Sequence, residues 1–298
     1  MDLFIFAHSV RANRVRLESA LHELERMLFA LGAKSPQVPI EPVVELVDDA
    51  PWTDMEFQLY VRGSAPQGLG VDDEASGIRC DLDVDLVLTD PDVGDVTKSP
   101  FAERRSERPQ SWEEFAPKVK AIADLFAKHF PCTCVPTAAV TRSFSLNILG
   151  VDVDLFPKRL ARDTMRGGFS IVSFSSGSSH RFGLSEPVSH PLNPTCWYDQ
   201  DTLSPRDAAV IVLKHFLKCS AIPVKSYHIA VLASRLPEVD HTTAQYLHML
   251  TPMVVWAAYK GSLWHNGTLV GTVDVGGTLL SACSKVKIEG WLETLPIE

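Results

Sequence analysis

The sequence predicts an α+β protein. A strand-and-helix N-terminal part, residues 1–160, precedes a helical C-terminal part, residues 161–298. Three observations predict it. Apolar residues alternate at 55–61 and 82–88, the period of a half-buried strand. Apolar residues recur at helical spacing in 11–31, 112–130 and most of 204–260. Proline, glycine and serine thicken just after 160, where a domain boundary is expected.

In chain order, "RANRVRLESALHELERMLFAL" places Val15, Leu17, Leu21, Leu24, Met27, Leu28 and Leu31 near helical spacing, and Gly32 follows as a stop. "MEFQLYVRGS" alternates Met55, Phe57, Leu59 and Val61 with polar partners and reads as a strand ending at Gly63-Ser64. "WEEFAPKVKAIADLFAKHF" reads as a second helix, with a proline near its first turn or at a kink. "RSFSLNIL" and "VDVDLFP" read as strands paired around Gly150. "SPRDAAVIVLKHFLKCSA" carries a serine cap and a proline at the first helical position. "VKSYHIAVLASRL" and "TTAQYLHMLTPMVVWAAYK" read as further helices.

The most informative stretch is "SGIRCDLDVDLVLTDPD", with aspartates at 81, 83 and 85. An EF-hand loop counted from Asp81 needs glycine at its sixth place and glutamate at its twelfth; Leu86 and Asp92 stand there. A strand fits instead, with the three aspartates on one face and Leu82, Val84 and Leu86 on the other. Carboxylates two apart on a strand face lie ~7 Å apart and repel unless a cation joins them. Two Mg²⁺ or Mn²⁺ ions ~3.5–4 Å apart would satisfy such a pair, and hard oxygen ligands suit them. A solvated acidic edge is the competing reading.

Charge and cysteines narrow the classes. The net charge is −9, and residues 72–95 hold nine acids against one base, Arg79. The remainder is near neutral, so no broad basic face for nucleic acid is expected. No apolar run reaches the ~18 residues of a membrane helix. The opening "MDLFIFAHSV" lacks a basic leader region, so no secretory signal is expected. Six dispersed cysteines fit reduced thiols and a cytoplasmic location. His129, Cys132 and Cys134 in "HFPCTCVP" form a weak zinc pattern, since structural sites usually show two separated ligand pairs. His180, His190, His228 and His265 read as structural or surface residues.

Further features suit phosphates. A strand ends on Gly63-Ser64, where a bare backbone can approach an anion. "VDVDLFP" offers another strand-borne acid, Asp154, with Asp152 as the same-face alternative. Lys214 and Ser226 stand across a helix and loop, suited to a triphosphate, although a lysine on a helix is commonly just solvated.

Taken together, "RGS", "DLDVDLVL" and "VDLFP" resemble the signature of the polymerase-β-like nucleotidyltransferase superfamily: a Gly-Ser corner, a D-x-D strand, and a third Asp on a neighbouring strand followed by two apolar residues and a proline. "VIVLKHFLKCSAIPVKSYHIAVL" is similar to a helix–loop–helix of the cGAS/DncV-like nucleotidyltransferases (CD-NTases), which pairs L-K-x-W with K-S-Y/F-x-L-E-x-L. The closing "GTVDVGGTLLSACSKVKIEGWL" matches the family only loosely. Two departures stand out. Ala230 replaces the family's usual Glu, and the stretch between Gly63-Ser64 and Asp83 is long, an insertion around 66–80 expected over the nucleotide cleft.

The resemblance implies a polymerase-β-like core of mixed sheet and flanking helices, an oligoadenylate-synthetase-like helical domain, and a cleft between them. It implies that Asp83 and Asp85 bind two Mg²⁺ (or Mn²⁺) ions and that Asp154 binds one of them. Gly63 and Ser64, with Lys214 and Ser226, would hold the phosphates of an NTP, ATP first. Tyr227 would stack on a base, with a structural tyrosine as the competing reading. The implied product is a cyclic or linear oligonucleotide messenger of bacterial anti-phage (CBASS-type) signalling, with room for an activating protein or ligand. The alternatives are an RNA-directed enzyme of the CCA-adding or tRNA-modifying kind and a catalytically silent nucleotide-binding relative.

Overall fold

The computed structural model describes residues 2–36, 42–89, 112–134, 143–163, 168–175, 178–181, 189–191, 199, 201–222, 224, 226–260, 262–265, 268–272 and 282–295. The chain divides into two compact units. A sheet unit comprises Val15–Gly63 and Asp81–Cys196, and a helical unit comprises Met1–Arg14, Ser64–Cys80 and Trp197–Glu298.

Seven described strands form the sheet: β1 (Glu56–Arg62), β2 (Asp81–Thr89), β3 (Phe144–Ile148), β4 (Val151–Asp163), β5 (Gly168–Ser175), β6 (Ser178–Arg181) and β7 (Ser189–Pro191). Their order is β6-β5-β4-β2-β1-β7, with β3 also on β4. Only the β2–β4 pair among these is parallel, so the sheet is mixed as the resemblance implies. β4 is long enough to pair β3 along Val151–Leu155 and β5 along Arg159–Asp163. The sheet thus continues past residue 160. The Gly/Ser-rich stretch there hides its alternation among turn residues.

Period-two burial builds the core of this unit. Phe57, Leu59 and Val61 of β1 are buried with Leu82, Val84 and Leu86 of β2 and Val151, Val153 and Leu155 of β4. Helix α2 (Arg14–Ala30) buries Leu17, Leu21, Leu24 and Leu28 at the spacing read from the sequence, but Val15, in the first turn and off that stripe, is exposed. Gly32 ends it with φ +92, where an added Cβ would meet the Thr53 backbone nitrogen at 3.0 Å. Helix α3 (Trp112–His129) contains Pro117 and buries Phe126, whose ring lies 5.5 Å from that of Phe144. The β3–β4 link is a two-residue turn at Leu149-Gly150 with φ +51 and +77, the doubly left-handed pattern of a tight hairpin. Arg16 Nη2 donates to the Gly150 carbonyl at 2.7 Å and pins the turn to α2.

The helical unit holds α1 (Leu3–Val10), α4 (Pro205–Cys219), α5 (Ser226–Ala233), α6 (Thr243–Lys260), α7 (Ala282–Glu293) and the ribbon β8 (Ser262–His265)–β9 (Thr268–Thr272). Sequence reading found no element at α1. Asp2 caps it, accepting from the Phe4 backbone N–H at 2.8 Å, and so starts a helix in only eight residues. Ser204 caps α4 ahead of Pro205, as the sequence predicts. The helices bury Ile211, Leu213, Ile229, Leu247, Leu250 and Ile288 together with Leu69, Val71 and Ile78. The stretch 66–80, expected over a nucleotide cleft, therefore supplies three residues to this unit's core. No helix among the described residues is long and apolar enough to cross a membrane.

Candidate active site

Strand β2 carries its aspartates from water into the protein. Along one face Asp81 is exposed, Asp83 is half-buried, Asp85 is 4% exposed and Val87 is 1% exposed. A carboxylate as buried as Asp85 needs hydrogen bonds, an opposite charge or a metal to offset its lost hydration.

The parallel pairing of β2 with β4 sets Asp83 beside Asp154 and Asp81 beside Asp152. Partners in register share a face, and neighbouring strands run ~4.8 Å apart. The two rows then extend onto β3. Ser145 pairs with Asp154 and donates Oγ–H to Asp154 Oδ1 at 2.5 Å. Asn147 pairs with Asp152 and donates Nδ2–H to Asp152 Oδ1 at 2.8 Å. On the other side β1 sets Arg62 in register with Asp83 and Tyr60 with Asp85. Burial raises the Tyr60 hydroxyl above its ordinary range.

Gly63 follows β1 with φ +81, and a Cβ built there would stand 2.6 Å from Asp83 Oδ2. A side chain there would displace that carboxylate, and the positive φ favours glycine as well. Ser64 is half-buried and opens a tight loop: its carbonyl accepts from the Leu69 N–H at 2.9 Å, and Gly68 N–H donates to the Ala65 carbonyl at 3.0 Å.

For a divalent cation the donor chemistry fits. Asp83, Asp85 and Asp154 offer only hard oxygens on one sheet face, and the missing side chain of Gly63 leaves open the space at Asp83 Oδ2. Yet among the described residues no group of three or more His, Cys, Asp or Glu side chains is gathered as a metal centre requires. The backbone register is set, and closing three carboxylates on one ion would fall to rotation of the side chains.

The remaining predicted residues lie in the helical unit. Lys214 of α4 is 2% exposed, and its ammonium donates to the Leu69 carbonyl, the residue that closes the loop opened at Ser64. Ser226 is the half-buried first residue of α5. Tyr227 is next on that helix, and its side chain lies outside the described residues. The structure therefore brings Gly63, Asp83 and Asp154 together, with Asp85 one step along, while Ser64, Lys214, Ser226 and Tyr227 belong to the helical unit.

Sequence reading missed two sets of polar residues. Ser145 and Asn147 are one; the signal was their alternation in "SLN" opposite the acids of "VDVD". The other is His215 beside Lys214, whose Nε2 lies 2.8 Å from Asp73 Oδ2. A hydrogen bond from the Ser76 side chain and then one from His215 hold the Asp73 carboxyl down at about 2. Arg11 Nε donates to the Gly68 carbonyl at 2.9 Å, so Arg11, Lys214 and His215 fasten the 64–80 stretch at several points. Cys132 is exposed, and burial pushes the Cys134 thiol up.

No protein-family model matches the sequence. No curated protein matches it either. Solved structures do. The CD-NTase CdnG of Bradyrhizobium diazoefficiens, determined with GTP, superposes with a TM-score of 0.59 at 11% identity, covering 98% of this chain and 89% of that one. The apo form of Vibrio cholerae DncV cyclic AMP-GMP synthase superposes with a TM-score of 0.50 at 10% identity, covering 94% and 80%. At such identity the likeness speaks for the fold alone. The chain has the fold of the cGAS/DncV-like nucleotidyltransferases.

Proposed function

We propose that the protein is a metal-dependent, template-independent nucleotidyltransferase. It condenses NTPs, with release of pyrophosphate, into a cyclic or linear oligonucleotide messenger, the class of signal suited to anti-phage (CBASS-type) defence in the cytoplasm. The observation that carries this reading is the row in which Asp83 and Asp154 stand side by side on adjacent parallel strands, with Gly63 bare against Asp83. The fold it shares with CdnG, a structure holding GTP, supports it.

Asp83 and Asp85 would hold two Mg²⁺ or Mn²⁺ ions and Asp154 one of them. When bound, such ions lower the pKa of an attacking ribose hydroxyl and neutralise a departing pyrophosphate. The protein's own side chains do the rest. The Gly63-Ser64 corner presents backbone to the phosphates. Ser226 at the start of α5 and Lys214, which also holds the Leu69 carbonyl, would offer further phosphate contacts. The resemblance assigns Tyr227 to base stacking, with a structural tyrosine as the competing role. In the bond change itself, the hydroxyl oxygen joins the α-phosphorus, the bond from that phosphorus to the leaving oxygen breaks, and the hydroxyl proton passes to a nearby base or to water.

One observation favours a second reading, a catalytically silent nucleotide-binding relative: the carboxylates are not gathered into a three-ligand cluster among the described residues. Mass spectrometry of products from mixed NTPs with Mg²⁺ or Mn²⁺, with and without tRNA, separates the readings. An oligonucleotide product without tRNA is expected. Its loss, by at least about 10²-fold, should follow Asp83→Asn with Asp85→Asn, since removing the groups that stabilise developing charge costs on that order. A double variant as active as the parent would refute the metal assignment. A product only with tRNA would move the protein to the RNA-directed class.

A further inference from the structure

We propose that Ser145 is a positioning residue that presents Asp154 for metal ligation. The proposal rests on the reading of Asp83, Asp85 and Asp154 as ligands. Three features of the sheet carry it. Ser145 stands in register with Asp154, and Asp154 with Asp83, so the three occupy one row on one face. The Ser145 hydroxyl donates to Asp154 Oδ1 at 2.5 Å, a short charge-assisted contact. Ladder hydrogen bonds between β3 and β4 already hold the strands, so the side-chain bond is not needed to pair them.

The chemistry of the donor matters. A hydroxyl commits one carboxylate oxygen and restricts rotation of the carboxylate, leaving Oδ2 for a cation. It adds no charge. A lysine at 145 would neutralise Asp154 and lessen its pull on a metal, whereas serine orients the carboxylate and keeps that pull. The next row provides an internal control. Asn147 holds Asp152 in the same way at 2.8 Å, but the partner of Asp152 across the sheet is the exposed Asp81.

Mn²⁺ binding by the full chain, followed through the electron paramagnetic resonance signal of the free ion, tests the inference without any nucleotide. Partners that orient metal ligands are worth about 10–100-fold in metal affinity. Ser145→Ala should therefore weaken Mn²⁺ binding by about that factor, Ser145→Thr should restore it, and Asn147→Ala should leave it unchanged. NTP turnover by Ser145→Ala should recover as Mg²⁺ is raised. Should the alanine variant fail to fold, Ser145→Cys keeps the shape with a poor donor and should show the same weakening. Parent-like Mn²⁺ affinity in Ser145→Ala, or an equal loss in Asn147→Ala, would overturn the proposal. If Asp83→Asn with Asp85→Asn also binds Mn²⁺ like the parent, the metal reading itself falls, and the two failures are thereby told apart.

Discussion

Two glycines show how a single residue acts in two ways. Gly63 and Gly77 both have left-handed backbone, at φ +81 and +68, but a Cβ on Gly77 meets nothing within 4 Å while one on Gly63 meets Asp83 Oδ2 at 2.6 Å. An L-residue in that region costs about 1–2 kcal/mol. Gly77→Ala should lose about that much stability in denaturant titration and keep its nucleotide turnover. Gly63→Ala should lose comparable stability and also most turnover, because the carboxylate beside it must move. Equal turnover in the two variants would remove Gly63 from the site. Asp73 acts through charge. Its carboxyl, at 3.8 when unperturbed, is held at about 2 by Ser76 and His215. A depressed carboxyl stabilises the fold above its unfolded value, and that contribution fades as pH falls from about 4 to about 2. Melting curves from pH 2 to 6 should therefore converge for the parent and Asp73→Asn at the acid end and separate, with the parent more stable, above pH 4.

The elements were legible in proportion to how local their causes are. Helix α2, strands β1 and β2 and the capped start of α4 follow from period, cap and stop signals within one stretch, and they lie where the sequence predicts. Helix α1 was illegible because its eight residues carry almost no polar face, and what makes it a helix is the Asp2 cap and burial of Ala7 and Val10. The β3–β4 hairpin was legible from Gly150, but Leu149 at φ +51 was not: an exposed leucine gives no sign of a left-handed turn. Its conformation is strained, and an Asn-Gly pair suits such a turn far better. Leu149→Asn should stabilise the protein by about 0.5–1 kcal/mol, measured as a raised melting temperature. An unchanged or lowered melting temperature would mean that the turn holds no such strain.

Across the whole molecule, the sequence by itself determined that Asp81, Asp83 and Asp85 share a strand face, that a Gly-Ser corner ends the strand before them, and that helices dominate the later part. These are consequences of repeat distances along one chain segment. Only the tertiary structure decided that Asp154 stands in register with Asp83, that Ser145 holds it, and that residues 2–14 and 64–80 pack with the later helices. Lys214 belongs to the same category: its spacing marked it as a phosphate contact, while burial and the Leu69 carbonyl show what it holds in the folded chain. Strand register and the partner of a buried ammonium depend on residues far apart in sequence. Their energies come from packing and from satisfying buried polar groups, and neither leaves a local pattern to read.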